Sequence, residues 1–128
     1  MRDPYTDEEL VAVPRLQPDW AVIHVPMADS RGNARILGSP FWDKLMARAA
    51  RGTIITAEQI VPSEELARQP ELTAIPELFV RAVVHAPRGA WPGSCYPLYE
   101  VDYPACEAYI AMPRDAAAVA AHAALAAP

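Results

Sequence analysis

The sequence predicts an α/β fold, a mostly parallel open sheet with flanking helices, and three observations carry that expectation. Apolar runs such as Trp20-Ala21-Val22-Ile23-His24-Val25 are nearly continuous, as in strands buried on both faces of a parallel sheet. Segments with a helical apolar stripe alternate with those runs. The 14 prolines are dispersed, each closing a short apolar run because proline lacks the N–H that would extend a ladder or helix. With 128 residues, 52% of them hydrophobic and 21% charged, the chain has the composition of one globular domain able to bury a core.

Val11-Ala12-Val13-Pro14 reads as a first short strand, and residues 20–25 as the second, with His24 near its end. Asp29-Ser30-Arg31-Gly32-Asn33 is a turn, since Asp and Asn bond their own backbone and Gly permits positive φ. Ala34-Arg35-Ile36-Leu37 suits a brief strand. Ser39-Pro40 has the form of a helix N-cap followed by proline at the first helical position. Phe41, Leu45 and Ala49, with Trp42 and Met46 beside them, form the stripe of that helix, and Gly52 ends it.

Thr53-Ile54-Ile55-Thr56 is the next strand and runs into Glu58-Gln59-Ile60-Val61. Ser63-Glu64-Glu65-Leu66-Ala67-Arg68 is a short helix with acids in its first turn, where the helix dipole favours them. Residues 78–86 make the most strongly patterned strand of the chain, with His85 at its end. Residues 89–99 are irregular and aromatic, residues 104–111 suit a helix, and the alanine-rich residues 115–127 have the highest intrinsic helix propensity.

Charge and motif content exclude several functions. The net charge is −5 and the 11 basic residues are scattered, so the electrostatic basis for binding nucleic acid is missing. No apolar run approaches the ~20 residues of a membrane helix, and the acidic residues 1–9 do not read as a secretory signal. A cytoplasmic protein with reduced thiols is expected, and Cys95 and Cys106 are expected to stay unpaired. The five glycines form neither GxGxxG nor a P-loop. The three histidines have no partner at i+3 or i+4, so no metal site is expected.

Each candidate site residue also has a plain structural reading. Glu58 falls at the carboxyl end of a strand, where open α/β sheets place their ligands, but reads first as an exposed loop acid or a cap. Asp29 and Asn33 are turn-formers before they are site residues. His24 suits a hydrogen-bonded core position. Gly93-Ser94-Cys95 lacks the second glycine of GxSxG, so Ser94 and Cys95 read first as a packed turn. Tyr96, with Trp91 and Tyr99, offers an apolar surface with polar handles, suited to a pocket wall or an interface.

Several stretches, taken together, carry a resemblance. They are residues 18–24, Ala28-Asp29-Ser30-Arg31-Gly32-Asn33, Ile54-Ile55-Thr56-Ala57-Glu58-Gln59-Ile60-Val61, Leu72-Thr73-Ala74-Ile75-Pro76, and the segment 89–99. In this order they resemble the A (α) subunit of class I CoA-transferases of the glutaconate type, over residues 11–111. Where that family commonly reads histidine-proline-threonine-serine-cysteine, this chain has Trp91-Pro92-Gly93-Ser94-Cys95. The family's N-terminal half, with a glycine-rich CoA-facing loop, has no counterpart here.

The resemblance implies a partial CoA-transferase/NagB-like domain at residues 1–114, in the manner of the family's C-terminal half, followed by an alanine-rich helix or tail at 115–128. It implies ping-pong transfer of CoA between carboxylic acids, with the nucleophilic glutamate on a B subunit. This chain would then supply scaffold, interface and pocket wall, with His24, Asp29, Asn33, Glu58, Ser94, Cys95 and Tyr96 as candidates. No cofactor would be tightly bound, coenzyme A being a substrate of the assembled enzyme. The expected partners are a separate N-terminal half and the B subunit, in a hetero- or homo-oligomer with Trp91, Tyr96, Tyr99 and Tyr103 near the contact. Two alternatives stay open: part of a ring-opening CoA-thioester hydrolase of steroid degradation, and a non-catalytic module.

Overall fold

The structure, a computed structural model, describes residues 1–113 and 115–125. Arg114, the last residue of the expected domain, and residues 126–128 of the expected tail lie outside the described residues.

Five strands form one sheet in the order β4-β2-β1-β3-β5. They are β1 (Trp20–Asp29), β2 (Ala34–Arg35), β3 (Gly52–Val61), β4 (Thr73–Ile75) and β5 (Val80–His85). The three longest, β1, β3 and β5, run parallel, and the short β2 and β4 add antiparallel ladders on the β1 side. The helices are α1 (Asp43–Ala49), α2 (Ser63–Ala67), α3 (Tyr103–Ala111) and α4 (Ala116–Leu125). The α/β class and the parallel centre agree with the sequence.

The core lies on one face. Ala21, Ile23 and Val25 of β1 and Ile55 and Ala57 of β3 point the same way, because alternate strand residues share a face, and Ala47 of α1 packs on them. The opposite face is open at its amino end, where Trp20 is 59% exposed and Val22 60% exposed. The apolar run of β1 is therefore not covered on both sides as its sequence suggests. Arg35 is buried and donates from Nη2 to the carbonyls of Glu65, Leu66 and Gln69, which gathers the carboxyl end of α2.

Four local expectations are corrected. Residues 11–13 form no strand: Val11 is 89% exposed, and ahead of it residues 1–10 close on themselves through an Arg2–Glu9 bridge. The first helix starts at Asp43 rather than Pro40, because Phe41 takes φ +37° and breaks the helical path; Ser39 is no cap. Its stripe of Phe41, Trp42, Leu45 and Met46 faces outward, and the small Ala47 makes the buried contact. Gly52 opens β3 instead of ending α1, and its missing Cβ leaves room for the rings of Trp20 and the stem of Arg81. His24 sits mid-strand, since β1 runs on to Asp29.

Candidate functional site

Parallel register sets the site. His24 of β1 pairs with Thr56 of β3, and Glu58 follows two residues later on the same face. His24 Nδ1 lies 2.9 Å from Thr56 Oγ1, and His24 Nε2 lies 2.8 Å from Glu58 Oε1. Both ring nitrogens are thus engaged: an Nε2–H donates to the carboxylate while Nδ1 accepts from the threonine hydroxyl. The loop after β5 closes over this pair. The Arg88 N–H donates to Glu58 Oε2 at 2.6 Å, and the Tyr99 hydroxyl donates to Glu58 Oε1 while accepting from the Ala90 N–H at 3.1 Å. His85 at the end of β5 reaches the Glu58 carbonyl at 3.1 Å.

Glu58 is only 8% exposed, so it is a buried carboxylate and not a loop acid. Burial pushes its carboxyl upward, but the Tyr99 hydroxyl, the Arg88 amide and His24 outweigh that and hold it below the ordinary value. The partners feel the reverse. Burial, followed by the bond to Glu58, raises the Tyr99 hydroxyl; burial and the Glu58 charge push the Cys95 thiol up to about 11.

Gly89 makes the closure possible. A Cβ there would stand 2.7 Å from His24 Cε1 and 2.9 Å from the Ala86 carbonyl oxygen. In the same loop Cys95 and Tyr99 form a bridge, and the Trp91 indole N–H donates to Asp102, the residue that caps α3 by accepting from the Ala105 N–H.

A cavity of about 360 Å³ opens in front of His24, lined among others by Leu37, Phe41, Asp43, Ser94, Cys95 and Tyr96. Of the residues singled out from sequence, His24, Glu58, Ser94, Cys95 and Tyr96 thus meet at one place. Asp29 and Asn33 do not join them. Asp29 Oδ1 accepts from the amides of Arg31, Gly32 and Asn33, and Asn33 bridges Asp29 Oδ2 to Glu77. Burial works against the Asp29 charge, yet Asn33, Ser63 and the turn amides hold its carboxyl below the ordinary value. These two residues build the β1–β2 turn and tie it to Glu77, which also takes a two-pronged bond from Arg31.

Sequence reasoning misses Thr56, Arg88 and Gly89. Thr56 is accessible to a strand-pairing argument, because two buried parallel strands in register place it beside His24; the loop residues carry no such signal. His24, Glu58 and Cys95 each offer one potential ligand atom, all within 4.8 Å of one another. A metal there would have to replace the His24 and Tyr99 bonds to Glu58. Both cysteines are free, Cys95 buried in the loop and Cys106 in α3. Among the described residues no helix is long and apolar enough to cross a membrane.

The sequence pattern of coenzyme A transferases matches residues 1–86. The chain is 46% identical over 102 residues to the A subunit of glutaconate CoA-transferase from Acidaminococcus fermentans, covering 80% of this chain and 32% of that one. It is 37% identical over 98 residues to the cholesterol ring-cleaving hydrolase IpdA subunit of Mycobacterium tuberculosis, covering 74% of this chain and 34% of that one. The crystal structure of glutaconate coenzyme A-transferase from Acidaminococcus fermentans superposes with a TM-score of 0.73 at 41% identity, over 85% of this chain and 35% of that one. The chain therefore spans about a third of the length of these relatives.

Proposed function

This chain belongs to the coenzyme A transferase family, and from that premise we propose that it is an A-subunit-like part of an enzyme moving CoA between carboxylic acids. It works in a hetero-oligomer with a B-type subunit that carries the nucleophilic glutamate. Its own share is scaffold and pocket wall. The observation that carries this division is the state of Glu58, whose two oxygens already accept from His24, Tyr99 and the Arg88 amide. A carboxylate nucleophile needs a free oxygen lone pair aimed at the thioester carbonyl. Three of the four lone-pair sites of Glu58 face fixed donors, and the side chain is buried and does not line the cavity, so it acts as a positioning residue that sets the His24 ring at the back of the cavity.

The His24 ring, held from both nitrogens, is a rigid wall rather than a free base. Rigid walls matter in acyl transfer, because holding the reacting centre in place supplies several kcal/mol of barrier reduction. The CoA moiety is gripped by other parts of the assembly. The described residues offer no glycine-rich phosphate cradle, and the net charge of −5 repels a polyanion.

The test is co-expression with an N-terminal A-subunit segment and a B subunit, followed by a CoA-transfer assay over a panel of aliphatic and dicarboxylic acyl-CoA donors. The complex turns over and the lone chain does not. Mass spectrometry of the complex under turnover finds the enzyme–CoA thioester on the partner. A thioester at Glu58, or turnover by the lone chain on the order of 10 per second, overturns the assignment. A second reading, thioester hydrolysis, is favoured by the similarity to the ring-cleaving hydrolase subunit; CoA release without any acceptor carboxylate selects it.

A further inference from the structure

The cavity in front of His24 has a one-sided chemistry. Its walls include Ile36, Leu37, Phe41 and Tyr96, with the neutral Ser39 and Ser94 among them, and its volume of about 360 Å³ is that of a small-molecule site. Among the described residues lining it there is no Arg or Lys. The only side chain there able to carry positive charge, His24, is committed to Glu58. The acid on the wall is Asp43 in the first turn of α1, whose carboxyl burial already pushes up. The Cys95 thiol, raised to about 11, stays neutral at physiological pH and adds apolar surface.

We propose that this cavity takes the uncharged, aliphatic acyl part of a thioester and rejects an acyl chain ending in a second carboxylate; the proposal rests on the reading of the cavity as the acyl pocket. A terminal carboxylate placed there would lose its water, stand beside Asp43, feel the Glu58 charge behind the histidine, and meet no cation among the described lining residues. An aliphatic chain of the same length loses nothing comparable and gains by covering Leu37, Ile36 and Phe41. Glutaconate, which names the relative above, is a dicarboxylate.

The experiment uses the purified chain and two small thioesters of N-acetylcysteamine with five-carbon acyl groups, pentanoyl and glutaryl, titrated by saturation-transfer NMR. Pentanoyl binds at least tenfold more tightly than glutaryl. Asp43→Asn narrows that gap by strengthening glutaryl binding, and Leu37→Asp in the wall removes pentanoyl binding. Equal or tighter binding of the glutaryl thioester overturns the proposal, as does failure of both to bind at millimolar concentration, or pentanoyl binding untouched by Leu37→Asp. Because the readout is binding order on the lone chain, it is separate from the transfer assay that tests the proposed activity.

Discussion

His24 and Thr56 stand opposite each other on neighbouring parallel strands, and a 2.9 Å bond between imidazole and hydroxyl joins them. The same register sets Glu58 on the other side of the ring, so two residues of β3 fix one imidazole of β1. From that arrangement the consequences of substitution can be stated.

Tyr99→Phe removes the hydroxyl donor to Glu58 and the acceptor of the Ala90 amide. The buried carboxylate then keeps only His24 and the Arg88 amide, and the Ala90 amide loses its acceptor, at about 1–3 kcal/mol. Urea unfolding should show that loss with an unchanged m-value. A variant as stable as the parent would mean that the loop does not close over Glu58.

Glu58→Gln turns an acceptor toward the Arg88 amide into a donor while keeping the volume, at a similar cost of about 1–3 kcal/mol. It also changes the acid limb of stability. The folded carboxyl lies below its ordinary 4.5, so the unfolded chain takes up the proton first as pH falls. The carboxylate's contribution is therefore full above 4.5 and disappears as pH drops through the lower folded value. Stability measured from pH 6 to pH 3 should fall less steeply for Glu58→Gln than for the parent. Parallel curves would contradict the assignment.

Gly89→Ala sets a methyl 2.7 Å from the His24 ring and 2.9 Å from a backbone oxygen, neither of which can retreat without breaking a bond to Glu58 or shifting the loop. We expect about 1–3 kcal/mol of destabilisation and, by NMR, a changed His24 ring environment. A His24 signal identical to the parent's would show that the ring has slack.

At pH 8, a thiol with a value of about 11 is ionised in only about one molecule per thousand. Cys95 in the folded chain should therefore alkylate at least a hundredfold more slowly than after unfolding. Both cysteines should titrate as free thiols in unfolded, non-reduced protein, and zero free thiols would contradict this.

How far the sequence shows the fold depends on burial. The β1 and β3 runs are legible because both strands line the core, and Ser63–Ala67 is legible from its acids. Residues 11–13 mislead because β-branched side chains state a preference, while a strand exists only where a ladder partner does. β4, at three residues, is too short for any pattern, and it forms because β2 offers its edge. For the site, His24 and Glu58 can be suspected one by one, whereas their meeting depends on register. The loop that delivers Tyr99 and the Arg88 amide has no periodicity to read. Asp29 and Asn33 are visible as turn-formers from their residue types, and the turn is what they make.

The open end of the sheet face has an optical consequence. Of the three tryptophans, Trp20 lies on that bare face and Trp42 on the outward side of α1, both in contact with solvent, while Trp91 stacks on the His122 imidazole with centroids 5.1 Å apart. With two of its three indoles wetted, the native chain should already emit much like an unfolded one. Fluorescence is thus a poor gauge of unfolding here and a sensitive one of covering. Whatever settles over β1 should shift the Trp20 emission to the blue, and Trp20→Phe should abolish that signal.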